Sequence, residues 1–267
     1  MSSDVTTGRL RILCEDPPAM GTSPDARHAL FANLIDHAPQ FPPAALDLPE
    51  AVAEDERARA SSHAFVLGRY VAPASRLREL PDVGRGVSAV LDAALTPDER
   101  VEAVEARFRE GLDDLASLAG EVYVEVPLDG GLDDRLDRIR AAGFGAKVRC
   151  GGAAVPSVEE LASFVRGCRE RALPFKATAG LHHVVRTDAA HGLLNLLAAA
   201  AFGDEEHALS EADAAAFSLD AGRFTWRDRA LGVEQLVTVR RDLVRSIGSC
   251  SFFEPIEELE ALGMLPR

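Results

Sequence analysis

Short apolar runs alternate with capped helical segments along most of this chain, from about residue 30 onward. The clearest runs are at 30–37, 64–72, 87–93, 121–128, 146–150 and 175–179. Such alternation is typical of successive βα units, which build a parallel sheet or barrel. Six clear strands and one or two doubtful ones in 267 residues predict an α/β fold, a (β/α)8 TIM-like barrel whose last quarter is the irregular part.

Capping signals place helices between these strands. Ser157 and Glu160 form a capping box that predicts a helix leading to the strand at 175–179. Thr96 and Glu99 enclose Pro97 in the same way, and this predicts a helix over 96–108. A further helix is predicted over 233–247, whereas the apolar segment 191–202 fits either a buried strand running into a short helix or a helix alone.

The alternative fold is an open, doubly wound sheet. Neither of its phosphate-binding fingerprints is present, since no G-x-G-x-x-G follows the first strand and no G-x-x-x-x-G-K-[ST] occurs in the chain. We therefore expect one barrel domain over residues 21–267. Residues 1–20, which contain Pro17 and Pro18, are expected to form an N-terminal arm.

The charge of the chain excludes several classes of partner. A net charge of -14 disfavours binding to nucleic acid and to anionic membranes, both of which need basic patches. No apolar run approaches the ~20 residues of a membrane helix. The first residues show no charged-then-apolar leader pattern, so we expect a cytoplasmic protein, with homo-oligomer formation left open.

Only two of the 29 cationic residues are lysines, Lys147 and Lys176, and both lie in predicted strands. A chain that uses arginine almost everywhere retains lysine where an amine must lose its proton, which a guanidinium does not do in proteins. Buried amines serve as bases and as Schiff-base formers. The alternative is that the two lysines are structural partners of carboxylates.

In a parallel barrel the reacting groups gather at the C-terminal ends of the strands. Beside the two lysines, the polar residues expected there are Asp36, Arg69, Glu125, Arg149, Thr178, His182 and His183, with Asn195 added if 191–197 is a strand. Alternation places Lys147 and Arg149 on one face. Burial beside Arg149 favours a neutral amine, whereas pairing with Glu125 favours an ammonium, and both alternatives stay open.

The adjacent pair His182 and His183 follows the last clear strand, and we expect only one of them to face the site. Together with Asp36, Glu125, His37 and His191, these residues offer the ligand types of a divalent-metal site. No H-x-H, H-E-x-x-H or D-x-D spacing supports such a site. We therefore expect no metal and no cofactor, with Mg, Mn or Zn as the alternative.

Residues 175–180, Phe-Lys-Ala-Thr-Ala-Gly, resemble the Phe-x-Lys-Thr-Ser-Thr-Gly strand of the deoxyribose-phosphate aldolase family of class I aldolases. The resemblance implies a barrel whose strand-six lysine forms a Schiff base, here Lys176, with Thr178 beside the bound carbonyl. One residue of the family pattern is missing, and the family's second lysine lies on the following strand, whereas Lys147 precedes Lys176. The whole chain also resembles uncharacterised bacterial proteins, which implies no activity.

These observations predict a lyase of the aldolase or dehydratase type that acts on a small, carbonyl-bearing, anionic metabolite. Lys176 is the expected imine-forming amine, Lys147 tunes it, and Glu125, His182 or His183 moves protons. Arg149, Arg69, Thr178, Asp36 and Asn195 are the expected substrate contacts. Two alternatives remain, a metal-dependent lyase or isomerase and a non-catalytic barrel whose interior contains only satisfied ion pairs.

Overall fold

The computed structural model describes residues 25–152 and 155–267, and these form a closed barrel of eight parallel strands with helices outside it. The arm predicted for residues 1–20 lies outside the described residues. The strands, in chain order, are β1 (Ile35–His37), β2 (Leu67–Pro73), β3 (Val87–Val90), β4 (Val101–Arg107), β5 (Glu121–Glu125), β6 (Gly145–Arg149), β7 (Phe175–Thr178), β8 (Phe217–Leu219), β9 (Arg223–Trp226), β10 (Arg229–Gly232) and β11 (Val244–Ser249).

Strands β1 to β7 follow one another around the barrel, and β11 closes it between β7 and β1. The (β/α)8 fold predicted from the sequence is confirmed. Strands β8, β9 and β10 form a separate antiparallel sheet between β7 and β11, so the irregularity does fall in the last quarter of the chain.

The helices are α1 (Ala26–Phe31), α2 (Leu48–Arg59), α3 (Leu132–Ala141), α4 (Val158–Glu170), α5 (Leu193–Phe202), α6 (Glu205–Ser210), α7 (Val233–Asp242) and α8 (Phe253–Ala261). The capping box that begins α4 is present, since the Ser157 hydroxyl accepts from Glu160 N and Ser157 N donates to the Glu160 carboxylate. Of the two alternatives predicted for segment 191–202, a strand running into a short helix or a helix alone, the structure shows the helix. Among the described residues, no helix is long and apolar enough to span a membrane.

One helix prediction was wrong and a second extended too far, and each of the two segments contains a barrel strand. The segment predicted as a helix over 96–108 contains β4, which pairs with β3 and β5. The helix predicted over 233–247 ends at Asp242, and β11 follows it. Counting along the completed barrel, Lys147 lies on the sixth barrel strand and Lys176 on the seventh.

The core consists mainly of Ala, Val, Leu and Phe side chains between the strands and the outer helices. The barrel interior is different, because a set of buried polar side chains fills it: Asp36, Ser88, Glu105, Lys147, Lys176 and Ser246. Lys147 and Lys176 are direct neighbours in the register of β6 and β7. The two lysines therefore enter the interior at the same level.

Candidate active site

A cavity of about 550 Å³ lies at the C-terminal end of the barrel. Its floor contains Glu105 and Lys147, and its wall contains Thr178 and Gly248 at the ends of β7 and β11. Apolar residues of the loop after β1, Phe41, Pro42 and Pro43, line another side. Active sites of parallel barrels lie at this end. The cavity is therefore the candidate active site.

Lys176 lies beneath this cavity and does not line it. Its residue is 1% exposed, and its Nζ donates to Asp36 Oδ2 at 2.6 Å and to Glu105 Oε1 at 2.5 Å. Two serine hydroxyls donate to the same carboxylates, Ser246 to Asp36 at 2.7 Å and Ser88 to Glu105 at 2.8 Å. Lys176 is thus held on both sides by buried, hydrogen-bonded carboxylates.

Lys147 borders the cavity. Its Nζ lies 2.8 Å from Glu105 Oε2 and 2.9 Å from Glu125 Oε2, and the residue is 4% exposed. Glu125 also faces Arg149, whose Nε is 3.5 Å from Glu125 Oε1 and whose side chain is half exposed at the mouth. The charged groups therefore alternate in sign from the interior to the mouth, in the order Asp36, Lys176, Glu105, Lys147, Glu125 and Arg149.

The pairing keeps the inner groups charged. Burial opposes ionisation of Glu105, but Lys147 and Lys176 outweigh it and lower the pKa of this carboxyl well below its usual range. Burial also opposes the Lys176 ammonium, but Asp36 and Glu105 outweigh it and raise the pKa of Lys176. Near neutral pH the two groups form a buried ion pair, so the carboxylate pairing left open by the sequence prevails at Lys176.

Two close approaches shape the cavity wall. A Cβ on Gly248 would lie 2.9 Å from Thr178 Oγ1 and 3.7 Å from Lys176 Cε, so glycine leaves room for both side chains. At the mouth, a Cβ on Gly180 would lie 2.6 Å from the Cys150 carbonyl oxygen, and Gly180 has φ +73°. The loops after β6 and β7 therefore meet backbone to backbone, directly beyond the strand ends, where Arg149 and Thr178 are register partners.

The structure places the two histidines differently. His182 lines the cavity, with Nδ1 3.0 Å from Glu254 Oε2 and Nε2 3.9 Å from Cys250 Sγ. His183 is exposed and pairs with Glu258 at 2.8 Å, away from the cavity. His182 is the residue of the pair that can exchange protons with a ligand in the cavity.

Three predicted substrate contacts lie elsewhere. Arg69 is near the start of β2, because residues 64–66 form a separate turn rather than part of the strand, and it pairs with Glu102 and Glu121 at the opposite end of the barrel. Asp36 is buried against Lys176 and borders that opposite end. Asn195 is inside α5 and bonds Arg186 N, Ala208 O and Glu211 O, so it joins helices and a loop.

The residues of the alternative metal site do not converge. His37 points outward to Asp55, with its Nδ1 2.9 Å from Asp55 Oδ1, and His191 bonds the Pro156 carbonyl oxygen. Asp36 and Glu125 are occupied by lysines. Within residues 25–152 and 155–267, no three His, Cys, Asp or Glu side chains form a group suited to a metal ion.

Glu105 is a candidate site residue that the sequence did not single out. It lies on β4, is 2% exposed and contacts both lysines. It was assigned to a helix because Val101 and Val104 fit a helical spacing after an apparent capping box. The available signal was the strand count, since the interval between residues 93 and 121 is long enough to contain a strand of the incomplete barrel.

Comparisons with solved structures find several similar chains. The chain is similar to the apo form of a Toxoplasma gondii ME49 protein provisionally assigned as a deoxyribose-phosphate aldolase. The two share 13% sequence identity, the alignment covers 89% of this chain and 95% of that one, and the TM-score is 0.38. No protein-family model matches the chain, and no curated protein sequence matches it.

Proposed function

We propose that this protein is a lyase of the aldolase type, which forms a Schiff base between Lys147 and the carbonyl group of a small anionic metabolite. The observation that supports this choice is the position of Lys147, the one lysine of the interior network that lines the strand-end cavity. Lys176 contacts two carboxylates and has no side on the cavity. The role that the sequence suggested for Lys176 therefore passes to Lys147.

The strand count supports the same choice. The aldolase family that residues 175–180 resemble has its imine-forming lysine on the sixth strand and its second lysine on the following strand. Lys147 is on the sixth barrel strand and Lys176 on the seventh. With β4 included in the count, the order of the two lysines agrees with that family, whereas residues 175–180, which carry the resemblance, lie on the seventh strand rather than the sixth.

The ion pairs around Lys147 suit the proposed chemistry. Glu125 takes a proton from the Lys147 ammonium, and the free amine adds to the carbonyl carbon to give a carbinolamine. Return of that proton to the hydroxyl group expels water and leaves an iminium ion. An ammonium and a carbonyl thus become an iminium and water with no net proton change. The nitrogen of Lys147 therefore presents one positive charge to Glu105 and Glu125 before and after the reaction.

The iminium ion then withdraws electrons from the adjacent carbon–carbon or carbon–hydrogen bond, which breaks to give an enamine. His182 lines the cavity and takes the proton released in this step, with Glu254 orienting its ring. Arg149 at the mouth binds the anionic group of the metabolite, and Thr178 contacts the carbonyl region. Lys176 is a positioning residue, since it holds Glu105 ionised beneath Lys147.

Borohydride trapping tests the proposal. The wild-type protein is incubated with a panel of small aldehydes and keto acids, reduced, and analysed by intact mass and peptide mapping. We expect a stable adduct on Lys147 that is absent from Lys147→Arg. The matched control is Lys176→Arg, in which the adduct on Lys147 should persist wherever that variant folds by circular dichroism.

Two outcomes contradict the proposal. An adduct mapped to Lys176 in the wild type would return the catalytic role to the deeper lysine. No adduct on either lysine across the panel would contradict imine chemistry, and activity abolished by a chelator would then favour the alternative that uses Mg, Mn or Zn.

A non-catalytic binding protein is the second candidate, favoured by one observation. Both lysines are paired with carboxylates, which is the arrangement of a satisfied structural network. The cavity beside them argues for a ligand in either case. This second function would be identified if a carbonyl compound bound the wild type and Lys147→Arg with equal affinity and formed no adduct with the wild type.

A further inference from the structure

A second cavity, of about 780 Å³, opens at the N-terminal end of the barrel. The starts of the strands line it, with Gly68, Glu102 and Glu121 among them, and helices α1 and α7 cover its side. The buried chain from Asp36 through Lys176 to Glu105 separates it from the strand-end cavity, since Asp36 borders one cavity and Glu105 the other. The two cavities are therefore distinct sites.

Arginines outnumber acids in this second cavity. Five arginines and three carboxylates line it: Arg69, Arg85, Arg240, Arg241 and Arg245, with Asp36, Glu102 and Glu121. Arg69 pairs with Glu102 and Glu121, Arg85 with Asp55, and Arg241 with Asp242. Asp36 already binds Lys176. Across the described residues, Arg240 and Arg245 are left with no carboxylate within salt-bridge distance.

Arg240 is the more constrained of these two arginines. Its Nη2 donates to the carbonyl oxygens of Ala32 at 3.1 Å and Arg245 at 2.9 Å. Its Nε and Nη1 are buried and have no hydrogen-bond partner in the part of the chain that the structure describes. Burial is the largest influence and lowers the pKa of Arg240 to about 10, so the guanidinium still carries its charge at neutral pH.

Buried guanidinium N–H groups that lack an acceptor, such as Nε and Nη1 of Arg240, are costly, and an anion is the ligand that removes this cost. Guanidinium groups bind carboxylate and phosphate oxygens through paired N–H donors. Arg245 lines the same cavity, is half-buried, and uses its Nη1 on the Arg241 carbonyl oxygen. A protein with a net charge of -14 thus places in one cavity two cations that have no carboxylate within salt-bridge distance among the described residues.

We propose that the N-terminal cavity is a second binding site, which takes the phosphate or carboxylate group of a small metabolite between Arg240 and Arg245. This site is independent of the chemistry at Lys147. It binds its ligand whether or not the strand-end cavity is occupied.

Titration calorimetry at constant ionic strength tests the site, with inorganic phosphate and succinate as separate probes. We expect the wild type to bind at least one of them and Arg245→Gln to bind it at least tenfold more weakly. Arg149→Gln removes a cation at the other cavity and should keep the affinity of this site. Arg223→Gln, which removes an exposed cation from β9, is the control for the loss of one positive charge.

Hydrogen-exchange mass spectrometry locates the bound anion. Protection is expected in peptides that span 26–36 and 237–247, and circular dichroism checks that each variant is folded. Arg240→Lys, which retains the charge but loses the planar donors, should also weaken binding. Absence of binding by both probes, protection confined to 149–152 and 178–182, or equal affinity in Arg245→Gln and the wild type would overturn the proposal.

Discussion

The two ends of the barrel have cavities of similar size, about 550 and 780 Å³, but their charges are arranged differently. From the barrel interior to the C-terminal end, three carboxylates and three cations alternate, and each contacts an opposite charge. At the N-terminal end, Arg240 and Arg245 have no carboxylate partner among the described residues. One end is electrostatically complete, and the other is not.

This difference indicates how each end interacts with a ligand. A complete network is stable without ligand, so a reactant must exchange places with an existing partner, as the proposed iminium ion would by replacing the Lys147 ammonium. An incomplete cluster leaves donors free, so an added anion gains hydrogen bonds that the protein does not supply. This contrast in pairing is why we propose covalent chemistry at one end and reversible anion binding at the other.

Removing the deeper lysine should have the largest effect on stability. Lys176→Met leaves Asp36 and Glu105 buried with one cation fewer, and breaking a buried ion pair in this way costs about 3 to 5 kcal/mol. Lys147→Met should cost about 1 to 3 kcal/mol, because Glu125 is partly exposed and still faces Arg149. Urea denaturation of the two variants and the wild type measures both losses of unfolding free energy.

The paired variants make this result specific. Both remove one lysine from the same level of the barrel, so they differ mainly in the burial of the carboxylates left behind. Equal losses of unfolding free energy would mean that the burial of the remaining carboxylates has no effect on stability. The distinction between a structural and a reactive lysine would then lose its physical basis.

The pH dependence of stability provides the next test. The pKa of Glu105 is lowered below its ordinary value of 4.5, so its stabilising contribution is complete above that pH and is lost as the pH falls toward the folded-state pKa. The stability difference between wild type and Glu105→Gln should therefore shrink by about 2 kcal/mol from pH 6 to pH 3. Urea midpoints across this range measure it.

The same experiment, extended to higher pH, tests the contribution of Lys176 to stability. Its pKa is raised, so its contribution is complete below the ordinary value of 10.5 and is lost only as the pH rises through the folded-state pKa. The difference between wild type and Lys176→Met should stay constant from pH 6 to pH 9. A Glu105→Gln difference that does not shrink in acid would show that Glu105 is not ionised between the two lysines.

Local signals predicted the sheet wherever strand and helix patterns differ clearly. Strand β6, helix α4 and strand β7 were predicted within a residue or two, because the capping box at Ser157 fixes the helix start and the apolar periodicity changes on either side. The rarity of lysine then identified the two amines that lie at the centre of the network. Composition and periodicity were sufficient for this part of the molecule.

The remainder depends on contacts that local patterns do not encode. Val101 and Val104 satisfy a helical spacing, but pairing with β3 and β5 determines the outcome, and Glu105 was hidden with them. The location of Asn195 in a helix or a strand was ambiguous, because a segment that is apolar throughout has no hydrophobic periodicity that distinguishes the two. The lack of a carboxylate partner for Arg240 among the described residues follows from the packing of α7 against α1, which no sequence motif predicts.

The smallest stability effect is expected at the N-terminal cavity, where Glu102→Gln removes one of its three carboxylates. Glu102 is 54% exposed, and Arg69 retains both hydrogen bonds to Glu121, so the unfolding free energy should change by no more than about 0.5 kcal/mol. Loss of this negative charge should nevertheless strengthen phosphate binding by about twofold at low salt. Calorimetry on Glu102→Gln measures the affinity, and weaker binding would contradict an electrostatic origin of the site. A change in affinity without a change in stability is expected only where the charge acts on a ligand rather than on the fold.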